Sequence, residues 1–120
     1  GFLKNGNFRL GNEISHYGAL HLAEALRVNN TIKVFRIAVA ELGDEGIRHL
    51  SDAFCVTQTL EEINLGGNKI GDKGAQHLSR SLQSNSSIKS LDLRYNSITK
   101  QTKGNLLAQA NEKQIKLEFQ

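Results

Sequence analysis

Two hydrophobic periodicities alternate along this chain, and they are clearest near the middle of the sequence. Ile63 and Leu65 alternate with polar residues, which is the period of two expected of a strand with one buried face. The apolar positions then change to spacings of three and four, at Ala75, Leu78 and Leu82, as on a helix with one buried stripe. This stretch therefore predicts one strand followed by one helix.

The same strand-and-helix pattern recurs every 28 residues. Leucines repeat at this interval, and so do several glycine, histidine and asparagine positions. These columns are Leu22, Leu50, Leu78 and Leu106; Gly18, Gly46 and Gly74; His21, His49 and His77; and Asn68 with Asn96. Aligned in this way, the chain contains units at about 4–31, 32–59, 60–87 and 88–115, with a partial strand at 116–120. A short repeat of this kind is typical of stacked strand-and-helix units.

Stacking is required because one strand and one helix of this length cannot enclose a core by themselves. We therefore predict one α/β domain over residues 1–120, with a parallel sheet of about five strands on its concave side and four helices on its convex side. At the helix ends, Asp44 and Asp72 are expected to cap the helices that they begin. Asn29 and Asn85 follow the last helical residues, where a left-handed cap is expected.

The motif resembles the ribonuclease-inhibitor-like class of leucine-rich repeats over nearly the whole chain. Residues 60–82 and 91–98 carry the resemblance. It implies a leucine-rich-repeat solenoid in a short arc, with a ladder of asparagines that hydrogen-bond to neighbouring loop backbone. The matching residues are Asn12, Asn68 and Asn96, and Ala40 occupies the same position in the second unit, so we expect the ladder to be interrupted there.

Composition and charge indicate which cellular compartment and which kinds of partner to expect for this domain. The chain has 120 residues and a net charge of +3, and no apolar run approaches the ~20 residues of a membrane-spanning helix. Cys55 is the single cysteine, so no internal disulfide forms, and we expect a cytoplasmic protein. Residues 88–120 carry six positive and three negative side chains, which is a mild basic end. Because neither end reads as a polar cap, we expect a piece of a longer repeat protein, or a domain whose ends are covered by another structure.

Three candidate chemistries are considered and set aside. Residues 66–73 are glycine-rich but lack the Gly-Lys-Ser/Thr ending of a phosphate loop. The histidine column lies on neighbouring helices ~8–10 Å apart, whereas zinc ligands each lie ~2 Å from the ion. Cys55 aligns with polar positions and has no histidine beside it to activate a thiolate. We therefore expect no catalytic, cofactor or metal residues, no small-molecule substrate, and no enzyme activity.

The strand residues between the buried ones are the better candidates for a site, because they project from the concave face. Two predicted columns are Arg9, Arg36, Asn64 and Asp92, and Val34, Glu62, Ser90 and Glu118. Arginine and tyrosine are enriched among residues that dominate binding energy. The predicted partner-binding residues are Arg36, Glu62, Asn64, Asp92, Arg94 and Tyr95. The alternative is that they are ordinary solvated strand residues.

These features favour a non-catalytic protein–protein interaction module whose partner is unidentified. A second hypothesis is the repeat domain of an enzyme regulator or sensor, of the GTPase-activating, actin-capping or NOD-like receptor type, because similar repeats occur in those proteins. A third is weak binding of nucleic acid or an acidic surface through the basic last unit. The balance of charge does not favour nucleic acid, and nothing indicates membrane attachment.

Overall fold

The computed structural model describes residues 2–4, 6–10 and 14–119. Strands and helices alternate along nearly all of this length. The strands are β1 (Phe2–Lys4), β2 (Asn7–Leu10), β3 (Val34–Ile37), β4 (Glu62–Asn64), β5 (Ser90–Asp92) and β6 (Lys116–Glu118). The helices are α1 (His16–Val28), α2 (Gly43–Val56), α3 (Asp72–Ser84) and α4 (Lys100–Glu112). No helix among the described residues is long and apolar enough to span a membrane.

One sheet contains all six of these strands, in the order β1-β2-β3-β4-β5-β6. Strands β2 to β6 are parallel, and a helix connects each one to the next. This confirms the predicted α/β leucine-rich-repeat solenoid, with five parallel strands and four helices. The sequence did not predict β1, which pairs antiparallel with β2 beside Gly6 at φ 79°.

The core lies between the sheet and the helices, as the two periodicities predicted. Phe35, Ile63 and Leu91 occupy equivalent strand positions, and each is at most 3% exposed. Helix residues such as Leu50 and Leu78 meet them with at most 1% exposure. Each repeat therefore adds one layer to a continuous apolar core.

Asp44 and Asp72 both accept hydrogen bonds from the following repeat, which corrects the prediction that they cap their own helices. Neither aspartate is the N-cap of its own helix, since Leu42 and Gly71 occupy those positions. Asp72 instead accepts hydrogen bonds from Thr99, the N-cap of α4, through its backbone N–H and its hydroxyl, both at 2.8 Å. Each aspartate therefore joins two repeats.

The C-termini of α2 and α3 are capped by side chains of the following repeat. Asn85 has extended backbone (φ −90°, ψ 141°), and so has Asn29, so the predicted left-handed caps are wrong. The side chain of Asn85 reaches back to α2 and donates to the carbonyls of Phe54 at 2.9 Å and Thr57 at 2.8 Å. Lys113, one repeat later, donates in the same way to the last carbonyls of α3. A cation there also interacts favourably with the helix dipole.

The fourth helix buries less of its surface than its neighbours. Two of its residues, Leu106 and Ala110, are buried, whereas α2 buries six and α3 five. Its seam with α3 is bridged by polar bonds, in which Ser79 donates to the Gln109 side chain and Gln109 donates to the Ser79 carbonyl, both at 2.7 Å. The seam between α3 and α4 therefore combines a smaller buried apolar surface with polar bonds.

Candidate functional site

The parallel register sets the candidate residues side by side on the concave face, the side of the sheet opposite the helices. Arg9, Arg36, Asn64 and Asp92 are neighbours on successive strands, as predicted. Adjacent strands in a sheet lie ~4.8 Å apart, so long side chains in this row reach across to the next strand. None of the four described helices lies on this face, because all of them pack against the opposite side of the sheet.

The register of the last strand differs from the prediction by two residues. Glu118 pairs with Asp92, and Lys116, not Glu118, pairs with Ser90. The cause is a shorter turn after α4, in which Gln114 has a φ of 59° and Ile115 donates to the carbonyl of Ala110 at 2.8 Å. Glu118 is thereby brought into the Asp92 row.

Five of the six predicted residues line one depression on this face. They are Arg36, Glu62, Asn64, Asp92 and Arg94, joined there by Val34, Ile63, Ser90 and Glu118. The residues with formal charges in this set are Arg36 and Arg94 against Glu62, Asp92 and Glu118, which makes a net charge of −1 (two positive, three negative). We call this set the charged depression. It is a shallow polar surface and not an enclosed apolar pocket.

Ion pairs organise the charged depression. Two nitrogens of the Arg94 guanidinium donate hydrogen bonds to the Asp92 carboxylate, Nη2 at 2.8 Å and Nε at 3.1 and 3.2 Å. Its Nε also lies 3.9 Å from the Glu118 carboxylate. Arg36 and Glu62 are looser, with 4.0 Å between Nη2 and Oε2 and about half of each side chain exposed. Two-point pairing of this kind holds an arginine in a defined orientation.

Asp92 is the most enclosed charge of the site, with 12% of its side chain exposed. Burial raises the pKa of Asp92, but hydrogen bonds from the side chain and backbone of Arg94 outweigh it, and the net pKa is lowered. The hydrogen bonds that Arg94 donates to Asp92, and then the negative charges of Asp92 and Glu118, raise the pKa of Arg94. The pair is therefore ionised at neutral pH.

Asn64 and Asp92 also have a local structural role that the sequence reasoning missed. Each accepts a hydrogen bond at 3.0 Å from the backbone N–H two residues further on, that of Gly66 and of Arg94. Such turns are common for Asn and Asp, so the residue types alone carried a signal for this role. These two side chains are consequently less available to a partner than Arg36 or Glu62.

Tyr95 lies in a second depression where the strands end. Its lining includes Ala38, Val39, Gly66 and Tyr95, and it shares Asn64, Asp92 and Arg94 with the charged depression. The two depressions therefore adjoin, and together they contain all six predicted residues. Val39 is 77% exposed and was not among the predicted site residues, although it aligns with Tyr95 two repeats later. An apolar residue at the position aligned with Tyr95, in a column expected to face solvent, was the sequence signal that could have identified Val39.

Asparagines at the predicted ladder positions hydrogen-bond to loop backbone. Asn68 has no exposed surface and donates to the carbonyls of Ile37 at 2.7 Å and Gly66 at 3.2 Å. The oxygen of Asn96 accepts from the backbone N–H groups of Asn68 and Ile70, both at 2.9 Å. The Asn96 bonds join the loops of the third and fourth repeats, and the bond from Asn68 to Ile37 joins the third repeat to the second.

The ladder is incomplete on the side of the second repeat. The Oδ1 atom of Asn68 is buried with no hydrogen-bond partner among the described residues, and Ala40 stands at the equivalent position one repeat earlier. Asn12, the remaining predicted member, lies outside the described residues.

The described residues include the three aligned histidines and Cys55, considered above as candidate metal ligands and nucleophile. No group of three or more His, Cys, Asp or Glu side chains in this described part of the chain could hold a metal ion. The Cys55 sulfur lies 3.7 Å from the Ser81 hydroxyl, whose oxygen is 2.7 Å from the Ser51 carbonyl. The thiol is thus a half-buried structural group.

Comparison with known proteins agrees with the architecture. The family model described as "Leucine Rich repeat" matches residues 57–79 and 84–101. The solved structure "Leiomodin-1 Actin-Binding Site 2 (ABS2)" superposes with a TM-score of 0.77 at 22% identity, covering 89% of this chain and 64% of that one.

A second similar structure is the tropomodulin C-terminal domain from Caenorhabditis elegans. It has a TM-score of 0.74 at 24% identity and covers 85% of this chain and 62% of that one. This chain therefore spans less than two thirds of either structure, and identities this low show the fold alone. No curated protein matches the sequence. The repeat pattern, the sheet of parallel strands and these matches together show that the chain has a leucine-rich-repeat fold.

Proposed function

We propose that this chain is a non-catalytic protein-interaction module that binds its partner through the concave face. One observation carries the proposal: the two adjoining depressions bring together the exposed arginines, carboxylates and tyrosine of three successive repeats and of the partial strand that follows them. Arg36, Glu62 and Arg94 each have about half of their side chain exposed. A broad, polar surface of this kind suits a protein partner better than a small molecule, which favours deep apolar pockets.

We further propose actin as the partner, which corresponds to the actin-capping type among the regulators considered above. Support comes from the leiomodin-1 structure, which is named for an actin-binding site and has a similar fold. The core residues shared by repeat proteins set the fold and not the partner. The proposal for actin therefore depends on a direct binding measurement.

The basic last repeat gives weaker support to nucleic-acid binding. Lys113 donates to the carbonyls at the end of α3, and Lys103 lies 5.5 Å from the centre of the Phe119 ring. Lys89 and Lys116 each have a carboxylate within 4.0 Å. Because these cations already have protein contacts in different places, they do not form one phosphate-binding stripe.

The test compares two matched arginines. Arg36 on the concave face and Arg80 on α3 have 53% and 54% of their side chains exposed, and each pairs with one acid. Affinity for monomeric and filamentous actin is measured for the wild type, Arg36→Glu and Arg80→Glu. We expect Arg36→Glu to weaken binding about tenfold or more and Arg80→Glu to change it less than about twofold.

Two results would contradict parts of this proposal separately. If the wild type binds neither form of actin, actin is not the partner. If both variants weaken binding equally, the concave face is not the contact surface, whichever partner binds.

A further inference from the structure

Three equivalent positions at the ends of β3, β4 and β5 have left-handed backbone. They are Val39 (φ 54°), Gly67 (φ 70°) and Tyr95 (φ 62°). Hydrogen bonds hold the backbone there, from Val39 N–H to the Gly66 carbonyl at 2.8 Å and from Gly67 N–H to the Arg94 carbonyl at 3.0 Å. The repeat therefore imposes this conformation on whichever residue occupies the position.

Folding alone favours glycine at such a position, because every other residue is strained in this region and a β-branched one most of all. The chain nevertheless places valine and tyrosine there. Their side chains add little to the core, since Val39 is 77% and Tyr95 67% exposed. Two apolar side chains are thus retained at strained positions where they remain in solvent. Strain of this kind is characteristic of functional sites.

Gly67 leaves a gap between these two side chains. A methyl group added to Gly67 would lie 3.4 Å from the Cα of Val39 and 3.5 Å from its Cγ2, so the glycine forms the floor beside the valine. Two strand spacings separate Val39 from Tyr95, which is roughly 10 Å. The width suits one apolar side chain inserted between them. We call this feature the Val39–Tyr95 notch.

We propose that the Val39–Tyr95 notch receives an apolar side chain of the partner protein and that a basic side chain of the same segment enters the charged depression. This inference rests on the proposed function. The charge argument is that the residues lining the depression have a net charge of −1, and that Glu62 is 54% exposed with its partner Arg36 no closer than 4.0 Å. Glu118 is 39% exposed and lies 3.9 Å from Arg94 and 4.0 Å from Lys116, so Glu62 is the more available carboxylate. Asp92 is already held by Arg94. The partner segment therefore carries an apolar residue near a lysine or arginine.

The first test separates binding from folding. In a Val39→Gly/Tyr95→Gly variant, backbone strain is relieved while both side chains are lost. Gln114→Gly is the matched control, because Gln114 also has a positive φ (59°) but lies in the turn after α4. We expect the double variant to unfold at the same or a higher denaturant concentration than the wild type, and to bind actin about tenfold more weakly or worse. The control keeps its affinity.

The other outcomes of this test contradict either the notch as a binding site or the claim that its two side chains are dispensable for folding. If the double variant binds within about twofold of the wild type while Arg36→Glu loses binding, the notch is not a binding site. The concave face would still be the contact surface. A large loss of stability in the double variant would show that the two side chains are structural.

The second test does not depend on actin. A library of short random peptides displayed on phage is selected on the wild type, the double variant and Gln114→Gly. We expect an apolar–basic consensus on the wild type and on Gln114→Gly but not on the double variant. The absence of such a consensus, or the same consensus on the double variant, would overturn the inference even if actin binds. If actin does not bind, this selection decides the inference alone.

Discussion

The carboxylate of Asp44 lies 3.0 Å from the backbone nitrogen of Gly74, one repeat further along the chain. The same oxygen accepts from the N–H of Gly71 at 2.7 Å. The first turn of α3 is thus capped by a side chain from the first turn of α2. Because helix ends leave backbone groups without partners, this arrangement makes the start of α3 depend on α2.

Removing this cap is expected to destabilise the whole stack. Asp44→Ala should lower the free energy of unfolding by about 1–2 kcal/mol, the usual effect of losing a cap. Asp52→Ala is the control, because Asp52 makes an exposed ion pair with Arg80 that is worth less than about 1 kcal/mol. Urea denaturation measures both. Equal effects of the two substitutions would show that Asp44 does not act as a cap.

Two helical glycines should respond to alanine with opposite signs. A methyl group at Gly74 would lie 2.6 Å from Asp44 Oδ1 and 2.8 Å from Ile70 Cγ2, so Gly74→Ala should lower stability by about 1–3 kcal/mol. A methyl group added to Gly104 in α4 would meet no atom within 4 Å beyond its chain neighbours and its own helix backbone. Gly104→Ala should therefore raise stability by about 0.5–1 kcal/mol through helix propensity. Thermal and urea unfolding measure the difference, and the same sign for both would contradict the packing described.

The buried asparagine of the third repeat should matter more than an exposed one. Asn68→Ala leaves the Ile37 carbonyl without its 2.7 Å donor and should lower the free energy of unfolding by about 1–3 kcal/mol. Asn105→Ala, on the exposed side of α4, should change it by less than about 0.5 kcal/mol. A loss near zero for Asn68→Ala would mean that the ladder contributes no net stability.

Stability should fall in acid because two aspartates have lowered pKa values in the folded state. Hydrogen bonds from the backbone and side chain of Thr99 lower the pKa of Asp72, and Arg94 lowers that of Asp92. An aspartate in the unfolded chain has a pKa of about 3.9. The unfolded state therefore binds more protons below about pH 4, and these contributions are lost as the pH falls through the folded-state pKa.

The measurement is urea unfolding as a function of pH for the wild type and for Asp72→Asn. We expect the free energy of unfolding to vary less below about pH 4 in the variant, because one titrating group is gone. A variant that loses stability as steeply as the wild type would show that Asp72 does not contribute to the acid sensitivity.

The repeat made the elements and the rows of side chains predictable. A strand period of two and a helix period near 3.6 each specify which residues face inward. Once the units are aligned, neighbours such as Arg36 and Asn64 follow from the register. The candidate surface could therefore be located by alignment, without any contact being known.

Features that depend on two repeats at once were not predictable in the same way. An aspartate at a helix start looks the same in the sequence whether it caps its own helix or, like Asp44, the next one. Glu118 was misplaced because the 28-residue spacing was extended across a turn that is two residues shorter. The strained Val39 was visible only once its φ was known, although its alignment with Gly67 was a usable sign.

The most direct measurement of the central claim is the NMR spectrum of the labelled domain during titration with monomeric actin. If the concave face is the contact surface, the amide signals of Arg36, Asn64 and Tyr95 should shift or broaden first. The signals of Arg80 and Asn105 on the helices should change little. Changes confined to the helices, with the strand signals unaltered, would contradict the account.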